Sequence, residues 1–130
     1  MSETPSPTGI PFSLRRGDVA AEITQVGASL RHLAVGGVNI VPPYPADEPT
    51  PMASGVVLVP WPNRIRDGVW QDGDVTRALA ITEPKLRNAS HGLLRFTAYD
   101  LVEQSESSLT LRGTIVTQTG DPYHLEPTVT

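Results

Sequence analysis

The 130-residue chain contains no cysteine. Disulfides, thiol nucleophiles and thiolate-held metals are therefore excluded, and the chain suits a reducing compartment, with the cytoplasm as the expected location. Aromatic residues make up only 5 % of it, so a core must rest mainly on Val, Leu, Ile and Ala. Basic residues are also few. Ten Lys+Arg stand against 14 Asp+Glu, for a formal charge of −4, and no basic run exceeds Arg15-Arg16. A nucleic-acid partner needs a concentrated positive stripe, which is missing; a neutral polar small molecule fits the balance better. No window approaches the roughly 18 apolar residues of a membrane span, so no membrane partner is expected. Met1 to Gly9 lacks the basic start and apolar stretch of a secretion signal, so Asn88-Ala89-Ser90 matches a glycosylation sequon by chance. No His-x-His, His-Glu-x-x-His or carboxylate cluster suggests a metal site, and no glycine-rich phosphate loop occurs.

What the chain does have is turn punctuation. Residues 1–9, with Pro5 and Pro7 among small polar residues, read as a disordered leader, and residues 10–130 as one domain. From Pro11 onward, short β-type runs alternate with Gly, Pro, Asp and Asn. Val19 to Val26 and Ser29 to Val35 flank a turn or bulge at Gly27, and Gly36-Gly37 predicts a hairpin into Val38 to Val41. Five prolines between Val41 and Met52 make that stretch a surface loop. Val56 to Val59, continuously apolar, reads as the best buried strand. Asp72-Gly73 predicts a hairpin between Gly68-Val69-Trp70 and Val75 to Ile81. Leu109, Leu111, Gly113 and Ile115 alternate with polar neighbours as one face of a half-buried strand, with Tyr99 to Glu103 as its hairpin partner. No helical repeat is evident. The fold class expected is all-β, an antiparallel β-sandwich. His124 to Thr130 reads as a strand just beginning, as in a truncated sandwich, and its exposed strand edges would favour self-association.

The chemistry-bearing residues concentrate in two segments. In Val59-Pro60-Trp61-Pro62-Asn63-Arg64, an apolar run meets a proline-flanked aromatic, an amide and a guanidinium. Aromatic faces bind the C–H patches of pyranose rings, and Arg and Asn can grip adjacent hydroxyls. The competing readings are plain: Trp61 and Trp70 as core, and Arg64 or Arg66 paired with Asp67 or another surface acid. The second segment, Asn88-Ala89-Ser90-His91-Gly92-Leu93-Leu94-Arg95, carries a loop histidine able to hydrogen-bond a sugar oxygen or exchange protons. It could equally cap a turn. His32 and His124, in predicted strands, read as surface or structural residues.

Together with Gly27-Ala28-Ser29-Leu30, Gly55 to Gly68 and Thr119-Gly120-Asp121-Pro122-Tyr123, these segments resemble the aldose 1-epimerase (galactose mutarotase) family, in order and at similar spacing, across nearly all of residues 10–130. The resemblance implies a large mutarotase-like supersandwich, no cofactor, and interconversion of the α and β anomers of glucose- or galactose-type aldoses. It implies that Arg64 and His91 line the sugar site; Asn63 and Trp61, read from their own chemistry, join them as substrate-binding candidates. The family's proton donor, a second histidine, and its base, a glutamate nearer the C-terminus, have no match here. His124 does not fit the first motif, nor Glu83, Glu103, Glu106 or Glu126 the second. The expectation is therefore the N-terminal part of such an enzyme, with little catalytic power alone. A sugar-phosphate mutarotase stays open through Arg64, Arg66, Arg87 and Arg95, as does a non-catalytic carbohydrate-binding sandwich.

Overall fold

Two-residue glycine turns organise the first sheet. The computed structural model describes residues 6–130, and β1 (Pro11–Arg16), β2 (Val19–Thr24), β3 (Leu30–Val35) and β4 (Val38–Val41) form an antiparallel meander in sequence order. Arg16 pairs with Val19 across Gly17-Asp18, and Val35 with Val38 across Gly36-Gly37. Gly36 and Gly37 both have positive φ, at 55° and 80°, as a hairpin turn matched to strand twist requires. The Gly27 connection between β2 and β3 is likewise as expected.

The proline-rich stretch after β4 contains no strand and ends in one 3-10 turn, Pro51–Ala53. Beyond it, β5 (Arg64–Arg66) pairs with β8 (Asn88–Ser90). β6 (Val69–Asp72) and β7 (Val75–Ala78) form the predicted hairpin, closed by Gly73-Asp74. β9 (Asp100–Gln104) and β10 (Leu109–Arg112) form the second expected hairpin, and β11 (Thr128–Val129) adds to β10. The fold is all-β and antiparallel throughout its named sheets, and no helix among the described residues is long and apolar enough to cross a membrane.

The apolar faces of the first sheet and of β9 to β11 meet in one core. Phe12, Leu14 and Ile23 from the first pack with Leu109, Leu111 and Val129 from the second, around Ala28, Leu94, Tyr99 and Ile115. The alternation read from sequence is real: Leu109, Leu111 and Ile115 are buried while Arg112, Thr114 and Val116 are exposed. Tyr99 is completely buried and its hydroxyl finds no partner among the described residues, so burial pushes its pKa up.

Three expectations need correction. Residues 1–5 of the expected leader lie outside the described residues, but Ser6 to Gly9 is tied down. Thr8 is buried, and its carbonyl accepts the Val26 amide at 3.0 Å. That bond prolongs the sheet edge, which gives a Pro-rich segment an ordered place. Val56 to Val59 is no regular strand but a half-buried segment with one parallel bridge, Val59 to Gly92. Its amides are used elsewhere, Val56 toward Ala53 and Val57 toward Gly27, and Pro60 and Pro62 cannot donate to a continued ladder. His124, placed by sequence in a strand, lies outside one; the neighbouring contact is an isolated bridge from Leu125 to Ile115.

Candidate functional site

Backbone geometry brings the two chemistry-bearing segments together. The Leu93 amide donates to the Val59 carbonyl at 2.7 Å, and the His91 amide to the Asn63 carbonyl at 2.8 Å. The β5–β8 pairing continues this contact, setting Arg64 opposite Ser90 and Arg66 opposite Asn88. Asn63 and His91 both sit at φ 63°, the left-handed region, which Asn tolerates better than most residues. Gly92 is required between them and the core. At φ 76° it lies so close to Val59 that a Cβ would overlap the Val59 carbonyl.

The side chains extend this backbone clasp. The Asn63 amide donates to His91 Nδ1 at 3.2 Å. A ring nitrogen that accepts carries no hydrogen, so in the neutral ring Nε2 holds it and His91 offers a donor. Arg64 Nη1 donates to Asn63 Oδ1 at 3.4 Å. On its other edge, Arg64 Nε donates to Glu83 Oε1 at 2.9 Å and Nη2 to Glu83 Oε2 at 3.1 Å. Asn88 Nδ2 in turn donates to Glu83 Oε1 at 2.8 Å. The Arg64 guanidinium first, and the Asn88 amide second, hold the Glu83 carboxyl below its ordinary range; Glu83 reciprocally raises Arg64. Both side chains are partly open, 47 % and 26 % exposed, so this pair orients Arg64 more than it stabilises the fold.

From sequence Glu83 is weighed only as a catalytic base, which it does not match, and the surface acid that pairs with Arg64 is left unidentified. Its signal is the spacing Glu83-Pro84 to Asn88. The proline starts a turn in which the Glu83 and Asn88 amides exchange bonds with each other's carbonyls at 3.0 and 3.3 Å. The turn sets both side chains facing β5.

The structure thus joins Asn63, Arg64 and His91 by direct bonds, and places Trp61 differently. Trp61 lines an apolar cavity of about 260 Å³ with Pro60, Ile65, Trp70, Leu79 and Tyr123, its indole N–H buried without a partner among the described residues. Trp70 holds two segments together, since its Nε1 donates to the Gly120 carbonyl at 2.9 Å. Nearby, Tyr123 donates to Asp72 Oδ1 at 3.1 Å, and Arg77 Nε to Asp72 Oδ2 at 2.6 Å. Arg77 foremost keeps the Asp72 carboxyl low, while the bond to Asp72 raises Tyr123. These bonds pin the Thr119 to Tyr123 segment onto the β6–β7 hairpin. His32 bonds Asn39 at 2.8 Å and His124 faces Glu126 at 3.6 Å, both on the surface and outside the cluster.

The profile of one family, aldose 1-epimerase, matches residues 12–130. The chain belongs to the aldose 1-epimerase family. Among relatives of this aldose 1-epimerase family member, the uncharacterized protein YihR of Escherichia coli K12 is 35 % identical over 118 residues. The match takes in 91 % of this chain and 38 % of YihR. A galactose 1-epimerase structure from Lactobacillus acidophilus NCFM shares 20 % identity at a TM-score of 0.72, over 89 % of this chain and 37 % of that one. A GalM/aldose epimerase homologue from C. elegans shares 15 % identity at 0.72, over 89 % and 39 %. At such identities the structural likeness speaks for the galactose mutarotase-like fold alone. The chain spans about two-fifths of the length of the relatives it matches.

Proposed function

We propose that this chain forms one wall of the sugar site of an aldose 1-epimerase, an isomerase that interconverts the α and β anomers of glucose- or galactose-type aldoses by acid/base ring opening. The observation that carries the reading is the bonded cluster of Asn63, Arg64 and His91 at the β5–β8 pair. It offers the remaining guanidinium hydrogens, an amide NH₂ and an imidazole N–H, a donor set suited to adjacent sugar hydroxyl oxygens. Trp61 supplies an apolar flank.

Ring opening needs a base at the C1 hydroxyl and an acid at the ring oxygen. Glu83, the carboxylate in the cluster, is committed to Arg64 and held in its charged form, which makes it a weak base. His91 alone is not an acid–base pair. The chain by itself should therefore hold an aldose and turn it over little, since each missing proton handler typically removes about 10²–10⁴-fold in rate. Exposed apolar residues on the edge strands, Val38 and Ile40 on β4 and Leu101 and Val102 on β9, support the further proposal of self-association through those edges.

The test is polarimetry of fresh α-D-glucose and α-D-galactose with the 130-residue chain, beside an NMR titration with D-galactose. The expected result is a buffer-level mutarotation rate, with saturable shifts at Arg64 and His91 that disappear in His91→Ala. Acceleration that is lost in His91→Ala would mean a complete acid–base pair forms within this chain. No sugar-dependent shift in folded protein would remove the sugar-wall reading. The aromatic-lined cavity supports a second reading, a carbohydrate-binding sandwich without proton chemistry. That reading requires Trp61→Ala to abolish binding while His91→Ala preserves it.

A further inference from the structure

Arg64 does not present a free guanidinium. Phosphates and carboxylates commonly grip arginine bidentately, and the Nε–Nη2 edge is one place they do so. Glu83 already fills that edge, at 2.9 Å from Nε and 3.1 Å from Nη2, and Asn88 holds Glu83 in place at 2.8 Å. The pair is neutral as a unit. Its remaining hydrogens, on Nη1 and the far side of Nη2, can still reach two neighbouring neutral hydroxyls.

Two of the other three cations named for a phosphate are engaged elsewhere. Arg87 faces Asp67 at 3.5 Å, and Arg95 lies 4.8 Å over the Phe96 ring. Arg66, opposite Asn88, has no carboxylate within 4 Å among the described residues and is the cation to watch as a competitor.

We propose that Glu83 determines specificity at this wall: by cancelling the Arg64 charge and filling its bidentate edge, it selects an unphosphorylated aldose and rejects a sugar phosphate. The inference rests on the sugar-wall reading above and adds the substrate's charge to it.

The test follows the Arg64 Nε–H signal by NMR in the full 130-residue chain, titrated separately with D-galactose and with inorganic phosphate. In the native chain, galactose should move the signal and millimolar phosphate should not. Glu83→Gln keeps the shape and removes the charge; phosphate should then move the Arg64 signal, with affinity raised about tenfold or more. Glu83→Ala should do the same, whereas Glu83→Asp, still charged, should exclude phosphate as the native chain does. Dispersed spectra identify the folded variants to be compared.

Equal phosphate response at Arg64 in the native chain and Glu83→Gln would overturn the proposal. So would a phosphate response in Glu83→Asp as strong as in Glu83→Gln, or one confined to Arg66 in every variant. If galactose moves nothing but phosphate still gains Arg64 in Glu83→Gln, the charge-cancelling role of Glu83 stands and the sugar wall falls.

Discussion

Substituting Gly92 by alanine tests whether the clasp between the two site segments depends on backbone contact. Gly92 lies at φ +76°, where any Cβ costs about 1 kcal/mol. Here the Cβ would also displace the Val59 carbonyl, which accepts the Leu93 amide at 2.7 Å. Losing that bond costs about 1 kcal/mol. Shifting Val59 and Leu93, both packed on the core, adds about another 1 kcal/mol. The expected loss is thus about 3 kcal/mol. Gly17 is the control: its φ is +59°, yet a Cβ there meets nothing within 4 Å, so Gly17→Ala should cost only the conformational part, about 1 kcal/mol. Urea denaturation with a shared m-value measures both. Galactose binding should weaken in Gly92→Ala and not in Gly17→Ala, because only the first moves Asn63 away from His91. Losses within about 0.5 kcal/mol of each other would refute the overlap argument.

Three further outcomes follow from the same geometry. His91 at φ +63° makes His91→Gly more stable than His91→Ala by about 1 kcal/mol, although both should lose sugar binding; thermal melts giving the reverse order would contradict the strain assigned there. Tyr99→Phe removes a buried hydroxyl without a partner and should leave stability unchanged or raise it by up to about 1 kcal/mol; a loss above about 1 kcal/mol would mean the hydroxyl has one. Glu83 and Asp72 are held below their ordinary values of 4.5 and 3.8, so the unfolded chain takes up their protons first. Their contribution is fully present above those values and is lost as pH falls through the lower folded ones, so Glu83→Gln with Asp72→Asn should flatten acid denaturation below about pH 4.5, and an unchanged slope in urea melts would refute the assignment.

Much of this protein was legible because the relevant physics is local. Gly36-Gly37 and Gly73 specify turns through their own backbone freedom, although the second turn closes at Gly73-Asp74 and leaves Asp72 in the strand, and the alternation from Leu109 to Ile115 specifies a buried face through the pleat. The Pro-Trp-Pro-Asn-Arg and Asn-Ala-Ser-His-Gly segments carried the family resemblance, which the match over residues 12–130 supports. Val56 to Val59 misled because an apolar run reports burial, whereas strand formation needs a partner ladder, and its amides bond elsewhere. The histidines divide in the same way: sequence marks His91 as a loop residue, but only the approach of Asn63 assigns its tautomer.

By itself the sequence determined the all-β class, the hairpins and the residue types available for chemistry, since turn geometry and side-chain period depend on near neighbours. Tertiary structure alone decided that Glu83 would neutralise Arg64, that Trp61 would face an apolar cavity, and that Thr8 would be buried. Those outcomes depend on which distant segments share a surface, and a pairing across 19 residues such as Arg64 with Glu83 leaves no periodic trace in the chain.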